Sequence, residues 1–190
     1  MKQADLYDRL VNSTIQVIAE YGFNGATTRN ISDTACMNEA YIYRCFKDKE
    51  DLYAQTFKAL DEELSDEVLR QVSVLEAPTE DKERQFKSFA SGLYGFFLGN
   101  RSKCLAYVRY HHSPFFKKYS LESHREIHRP IAERFGKAMK HGADAAILLN
   151  YILDALLDFA VKVFNGEREN GADDTERIYN LLYASVSDSF

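Results

Sequence analysis

The fold of this chain is decided by residues 22–52, which read GFNGATTRNISDTACMNEAYIYRCFKDKEDL. Thr27-Thr28 offers an N-cap hydroxyl for a short helix that reaches Ala35, because a threonine oxygen can accept a hydrogen bond from the first helical amides. Asn38 is a strong N-cap candidate for a second short helix, which extends to about Cys45. The stretch therefore predicts two short helices joined by a three-residue turn.

Longer amphipathic helices are expected on both sides of this stretch. Upstream, residues 5–21 place apolar side chains at helical spacing, namely Leu6, Leu10, Val17, Ile18 and Tyr21. Gly22 and Gly25 then stop the helix. Downstream, Asp48 with Asp51 three residues later resembles a capping box, which predicts a long helix that runs toward Leu75.

The remainder of the chain also follows a helical period. Apolar residues recur at helical spacing over residues 86–99, 101–111, 121–140 and 145–164. Pro130 is expected to kink the third of these segments, and His141-Gly142 is expected to end it. A last helix should follow Asp173 and Glu176, which form another capping-box pattern. Because no run alternates with period two, the sequence predicts an all-α fold of about nine helices.

The composition excludes several classes of protein. The 190 residues are 45% hydrophobic and 28% charged, which excludes a disordered chain. A formal net charge of −5 argues against a protein that coats nucleic acid through bulk charge. Polar and charged residues interrupt the most apolar run, 145–164, so no membrane span is expected. The first five residues lack signal-peptide features and three cysteines cannot all pair internally, so we expect a cytoplasmic protein.

Residues 22–52 resemble the helix-turn-helix domain of the tetracycline-repressor (TetR/AcrR) family of transcriptional regulators. The positions that carry the resemblance are Gly22-Phe23, Thr27-Thr28, Ile31-Ser32, Cys36, Ile42-Tyr43, Phe46 and Lys49. The resemblance implies a DNA-binding domain over residues 1–47 and a larger helical domain for effector binding and dimerisation over residues 48–190. The implied function is a ligand-responsive regulator, in the first place a repressor. It would bind a pseudo-palindromic operator as a homodimer, and a small hydrophobic or aromatic effector would release it.

The resemblance also implies which residues contact double-stranded DNA. Thr28, Tyr43 and Lys49 are expected to hold backbone phosphates, and Arg44 could read guanine or bind phosphate. Glu39 could accept a hydrogen bond from cytosine N4, and Tyr41 could contact a thymine methyl group. The complete predicted set is Thr27, Thr28, Arg29, Asn38, Glu39, Ala40, Tyr41, Tyr43, Arg44 and Lys49.

Three residues depart from the family pattern. Cys45 stands where a histidine is common, which removes one possible phosphate donor. Cys36 stands at the place of the turn glycine. Either a left-handed backbone position therefore carries a side chain, at a cost of about 1 to 2 kcal/mol, or the turn adopts another geometry. Glu39 would repel nearby phosphates unless it contacts a base. Glu39 and the acidic N-terminal region motivate an alternative function, in which a protein of the same fold acts through protein contacts without binding DNA.

Aromatic residues are concentrated between residues 86 and 135, where the family encloses an effector pocket. A pocket lined by aromatic side chains with a few polar groups suits a flat or hydrophobic small molecule. Aromatic residues at helical spacing can also form plain core. The predicted pocket residues are Phe89, Leu93, Tyr94, Phe97, Tyr107, His111, Phe115, His124, His128 and Phe135.

Two late helices lie where the family forms its dimer. The helix over residues 145–164 is apolar on faces that one subunit cannot cover, so two helices from each subunit would form a four-helix bundle. The alternative is the central helix of a monomer. The predicted interface residues are Leu148, Ile152, Leu156, Phe159, Ile178 and Leu182.

The sequence predicts no metal site, no cofactor and no catalytic residue. His124 and His128 lie four residues apart on one helix face, a spacing that can chelate a transition metal, but no cysteine or carboxylate close in sequence completes a site. These histidines could instead line the effector pocket or lie on the solvent-exposed surface. Because neither a phosphate-binding glycine-rich loop nor a nucleophile elbow is visible, an enzyme is not expected.

Overall fold

The computed structural model describes residues 3–140 and 143–190, and every regular element in these two ranges is helical. The α-helices are α1 (Gln3–Gly25), α2 (Thr28–Thr34), α3 (Ile42–Cys45), α4 (Lys49–Leu75), α5 (Lys82–Gly99), α6 (Arg101–His111), α7 (Leu121–Gly136), α8 (Ala145–Phe164) and α9 (Ala172–Val186). Short 3-10 segments cover Glu39–Tyr41 and Ser187–Ser189, and a π-helical segment covers Phe116–Ser120. None of the described helices is long and apolar enough to cross a membrane. The predicted all-α fold is confirmed over the described residues.

The expected break after the first helix lies at Gly22. Its φ of 65° and ψ of −170° interrupt α1, and such a backbone conformation favours glycine because a Cβ would be strained there. The chain then makes one further turn to Gly25 before α2 begins. The prediction that a helix over residues 5–21 stops at Gly22 is therefore confirmed.

The chain divides into two compact units. The first contains the described residues up to Glu63 together with Ser102–Arg125. In this unit α1 packs against α2 and α3, and its buried side chains include Leu10, Ile31 and Phe57. The helix-turn-helix thus shares a core with the first part of α4 and with α6.

The second unit contains Leu64–Arg101 and the described part of Glu126–Phe190. Here α5 packs against both α8 and α9, and Phe86 and Phe89 are fully buried. Gln85 fastens the start of α5, since its side-chain Nε2 donates to Val74 O at 2.9 Å and to Ala77 O at 2.6 Å. These bonds satisfy carbonyls at the end of α4 and in the turn that follows it.

Two predicted helix ends differ from the structure. α7 continues through Pro130 but ends at Gly136 rather than Lys140, since the next residues form tight turns in which Ala138 N donates to Phe135 O at 3.0 Å. The expected stop at His141-Gly142 lies outside the described residues. The prediction of a capping box at Asp173 and Glu176 is wrong. The N-cap is Gly171, two residues before Asp173, so α9 begins at Ala172 and no side chain caps it.

Candidate nucleic-acid interface

The first helix of the helix-turn-helix, α2, begins at a threonine cap. Thr27 Oγ1 accepts a hydrogen bond from Asn30 N at 3.1 Å, and the side-chain amide of Asn30 donates to Gly25 O at 2.7 Å. These bonds satisfy backbone groups that are otherwise unpaired at a helix start. The predicted cap is confirmed. It leaves Thr27 exposed and Thr28 half-buried at the surface where phosphate contacts were predicted.

The turn after α2 has the left-handed geometry that the sequence left open. Cys36 has a φ of 52°, the one positive value at a described residue other than glycine. Cys36 N donates to Asp33 O at 3.0 Å, and Met37 N donates to Ser32 O at 2.9 Å. This pair of bonds is the Schellman arrangement, which closes a helix with a left-handed residue that is usually glycine. The turn therefore keeps the geometry that glycine favours, with a side chain at the strained position.

The recognition segment, residues 39–45, consists of a 3-10 turn followed by the short helix α3. Asn38 Oδ1 accepts from Ala40 N at 2.9 Å, which confirms Asn38 as the cap. Ile42 is fully buried and Phe46 is 3% exposed, and both anchor one side of the segment in the core. The opposite side consequently faces solvent.

The solvent-facing side of the recognition segment carries the residues that were predicted to contact DNA. Tyr43 is 60% exposed, and Ala40 and Arg44 are also exposed, whereas Glu39 and Tyr41 are half-buried. The Arg44 guanidinium carbon lies 5.3 Å from the centroid of the Tyr41 ring. A cation–π contact at this distance fixes the guanidinium beside the ring. The side thus combines an exposed hydroxyl, an oriented cation and a small residue that permits close approach.

Arg29 of α2 forms an ion pair but remains accessible to solvent. Arg29 Nε lies 3.8 Å from Asp33 Oδ2, and the two side chains are 85% and 70% exposed. A pair that is so exposed contributes little, because water and salt screen it. Arg29 can therefore exchange Asp33 for a phosphate at small cost.

The start of α4 places a second cation near the motif. Asp48 Oδ1 accepts from Asp51 N at 2.8 Å, and Asp51 Oδ2 accepts from Lys47 N at 2.9 Å. The two aspartates thus cap the helix reciprocally, although Asp51 bonds the amide before the predicted one. Lys49 follows the cap, and its ammonium lies 5.8 Å from the centroid of the Tyr53 ring. A cation in the first helical turn opposes the helix dipole, so an anion would stabilise it there.

Tyr53 joins α4 to the turn between α1 and α2. Its side chain is 1% exposed, and its hydroxyl donates to Ala26 O. Burial raises the pKa of Tyr53 to about 12. The start of α4 and the start of α2 are therefore held in one arrangement by a buried hydrogen bond.

Two braces of the motif were missed by the sequence reasoning. Arg109 on α6 donates from Nη1 to Ile18 O at 2.6 Å, close to the end of the regular part of α1. The Phe115 ring packs 5.1 Å from Phe23 and 5.4 Å from Tyr53, centroid to centroid. These contacts join residues that are far apart in sequence, so no local pattern could have revealed them.

The structure places the predicted pocket residues in both compact units. In the first unit, the Tyr107 and His111 rings stack with centroids 6.0 Å apart, and His111 lies 5.5 Å from His124. In the second unit, Phe89 and Phe135 lie 5.9 Å apart. The members that are at most 2% exposed are Phe89, Leu93, Tyr94, Phe97 and Phe135. Their burial agrees with the plain-core alternative, so pocket lining stays a prediction for all ten.

The predicted dimer residues differ in how far a single chain already buries them. Ile152, Leu156, Ile178 and Leu182 are at most 4% exposed within one chain, because α8 and α9 turn these side chains into the core of the second unit. Leu148 and Phe159 are half-buried. The large apolar side chains that α8 and α9 expose are instead Ile147 at 65%, Tyr151 at 44% and Leu181 at 61%. The four buried residues pack within the chain and these three are exposed to a possible partner, so the dimer interface stays a prediction.

Comparison with known proteins points to one family. Residues 10–56 match the family model described as bacterial regulatory proteins, tetR family. A TetR family transcription regulator from Marinobacter aquaeolei VT8 has a similar structure, with a TM-score of 0.78 and 16% identity over 97% of both chains. The fatty acid degradation regulator FadR from Bacillus halodurans has a TM-score of 0.71 and 17% identity over 96% of both chains.

FadR from Bacillus subtilis, solved in complex with stearoyl-CoA, has a TM-score of 0.60 and 17% identity over 93% of this chain and 97% of that chain. Curated protein sequences give no significant match. At these identities the solved structures establish the fold alone.

Over the described residues the regular elements are all helical, and the N-terminal ones form a helix-turn-helix, an architecture typical of DNA-binding proteins. The part of the chain that contains it, residues 10–56, is similar to the DNA-binding segment of bacterial regulatory proteins of the tetR family.

Proposed function

We propose that this protein is a ligand-responsive repressor that binds a pseudo-palindromic operator as a homodimer. The observation that carries the proposal is the two-sided recognition segment, in which Ile42 and Phe46 are buried while Tyr43 and Arg44 are exposed. A helix that is anchored on one side and rich in hydrogen-bonding groups on the other is suited to enter a major groove.

In this proposal, different residues contact the DNA phosphates and the base edges. Lys49, Tyr43 and Thr28 contact backbone phosphates and so fix the register on the duplex. Arg44 and Tyr41, which are held together by their cation–π contact, lie at base edges. Glu39 accepts from cytosine, which removes the repulsion that a carboxylate near phosphates would otherwise cause.

The proposed dimer forms through the exposed apolar residues of α8 and α9. Ile147 and Tyr151 lie four residues apart on one face of α8, and Leu181 is exposed on α9. Two copies of this surface related by a twofold axis would cover each other, as in other symmetric homodimers. Such a dimer presents two recognition segments to two half-sites, which accounts for a pseudo-palindromic operator.

The proposed effector is a small hydrophobic or aromatic molecule. The aromatic side chains of the predicted pocket favour such a ligand, and its polar edge would meet the polar groups among them. Because a FadR of the same fold was solved with stearoyl-CoA, long-chain acyl-CoA is one class to test. A thermal-shift screen followed by operator binding with each hit would identify the effector. Hits that stabilise the protein and never alter operator affinity would contradict the proposed regulation.

A gel-shift experiment with genomic fragments at low salt tests DNA binding. Lys49→Ala should weaken binding to all sequences alike and reduce the salt slope by about one unit per subunit. Lys58→Ala is the matched control, because Lys58 also lies on α4 but pairs with Glu62 at 3.8 Å, beyond the first turns. Unchanged affinity and slope for Lys49→Ala would refute the docking. Binding to partner proteins with none to DNA would favour the alternative function.

A further inference from the structure

A buried carboxylate on α4 lies against the first histidine of the His124–His128 pair. Asp61 is 1% exposed, and each of its two carboxylate oxygens lies 3.0 Å from His124 Nδ1. The Tyr107 hydroxyl lies 3.4 Å from Asp61 Oδ1. The nearby Glu122 and Glu126 lie off the helix face that carries these histidines, and the fold supplies a carboxylate from a position 63 residues away.

α7 carries a second imidazole at the spacing that metal sites use. His128 follows His124 by four residues on this continuous helix, so both rings lie on one face, one turn apart. Two histidines at this spacing can bind one ion, as in helical zinc sites. Asp61, His124 and His128 together make a group of potential metal ligands.

The distances between Asp61 and His124 suit a shared ion as well as a hydrogen bond. Metal bonds to carboxylate oxygen and imidazole nitrogen are about 2.0 to 2.2 Å long, so two such ligands on one ion lie about 3.0 to 3.6 Å apart, depending on the coordination angle. The distance of 3.0 Å lies at the lower end of this range. An ion would take the place of the hydrogen bond between Asp61 and His124.

Apolar and aromatic side chains surround the His124 ring within the first compact unit. The Phe116 and His111 rings lie 5.3 and 5.5 Å from it, and Phe57 lies 6.2 Å away, centroid to centroid. Such a shell limits water access and fixes the orientation of a ligand ring. Carboxylate and imidazole ligands suit zinc and its neighbours in the first transition row better than calcium or magnesium.

We propose that Asp61 and His124, together with His128 on the next turn of α7, bind one divalent transition-metal ion of the zinc or nickel type. Asp61 supplies a buried negative charge, which compensates for the desolvation of the cation. Both imidazoles bind as neutral ligands. The site would hold α4 to α7 at Asp61 and His124. The proposal concerns metal binding alone and does not depend on DNA binding.

Isothermal titration of the full-length, tag-free protein with Zn²⁺ and Ni²⁺ after chelator treatment tests the site. We expect one ion per chain, and Asp61→Asn, His124→Gln and His128→Gln should each weaken binding by about tenfold or more. His112→Gln is the matched control, because His112 is an exposed histidine of the same segment, and it should bind as the wild type does. Bound Zn²⁺ should also raise the midpoint of thermal unfolding of the wild type, and this shift should shrink in the three ligand variants.

Several results would overturn the proposal. One is no binding of either ion by the wild type. Another is equal binding by the wild type and the ligand variants, which would place the ion elsewhere. Far-UV circular dichroism establishes that each variant is folded. Since two of the three substitutions lie on α7 and one on α4, a folding defect in one variant leaves the others decisive.

Discussion

The strained turn residue allows a test of the helix-turn-helix geometry by stability. Cys36 holds a left-handed φ of 52° in a Schellman closure, where glycine has no Cβ penalty. Relief of the strain by Cys36→Gly should yield about 1 to 2 kcal/mol. The greater freedom of glycine in the unfolded chain offsets about 0.5 to 1 kcal/mol of this. We therefore expect a net gain of about 0.5 to 1 kcal/mol in the free energy of unfolding.

Cys36→Ala separates the backbone effect from loss of the thiol. Cys36 is exposed, so removal of its sulfur alone should change stability little, and alanine keeps the strained φ. Urea unfolding should show a higher midpoint for Cys36→Gly, with an unchanged slope, and no comparable rise for Cys36→Ala. In thermal unfolding, a gain of 1 kcal/mol corresponds to about 2 to 4 °C for a chain of this size. Equal stabilities of the two variants would show that the turn is not strained and would refute this reasoning.

Three further predictions concern stability, base reading and assembly. Tyr53→Phe should cost about 1 to 3 kcal/mol in urea unfolding, because Ala26 O loses its buried partner. The pKa of Tyr53 rises from 10.0 to about 12 on folding, so its neutral hydroxyl stabilises the folded chain fully below pH 10 and this stabilisation is lost as pH rises toward 12. The corresponding loss of stability between pH 10 and 12 should be absent in Tyr53→Phe. Arg44→Ala and Tyr41→Ala should change which operator bases are tolerated, and the binding free energy should fall by about 1 to 3 kcal/mol where a base contact is lost. If affinity instead falls equally for all members of a randomised operator library, both residues contact the DNA backbone. Tyr151→Glu should give a folded monomer in sedimentation, whereas Leu156→Glu, which places a charge in the core of the second unit, should unfold the protein. A dimer that persists in Tyr151→Glu would contradict the proposed interface.

Local features of the site were predictable from sequence because their partners are close along the chain. The caps at Thr27, Asn38 and Asp48 each bond an amide two or three residues away, so the residue type and its position suffice to predict them. The left-handed option at Cys36 followed from the family resemblance, because the family places a glycine there. Hence the boundaries of α2 and of the recognition segment were predicted to within a residue or two.

Features that depend on tertiary packing were not predictable. Burial of Ile152 and Leu156 by α5 could not be distinguished from burial by a partner, since both leave the same apolar pattern along α8. The contact of Asp61 with His124 joins residues on two helices, and nothing near either one in sequence indicates the other. Arg109 likewise reads as an ordinary surface arginine until α6 is placed beside α1.

The first part of α4 connects the proposed DNA contacts with the Asp61–His124 pair inside a single compact unit. Over this stretch Lys49 lies in the first turn, Tyr53 bonds the turn before α2, and Phe57 stacks 4.5 Å from Tyr110. Asp61 follows on the next turn, against His124. A ligand or ion that displaces Asp61 is therefore expected to displace Tyr53, two turns earlier on the same helix, which bonds the turn before α2. An effector shifts the equilibrium between two conformations of the protein only by the ratio of its affinities for them. A coupling free energy of about 1 to 3 kcal/mol therefore requires that the effector bind one conformation about 5- to 150-fold more tightly than the other. The buried hydrogen bond of Tyr53 is the element through which that difference would reach the recognition segment, so Tyr53→Phe should reduce the response to an effector more than it reduces operator affinity without one.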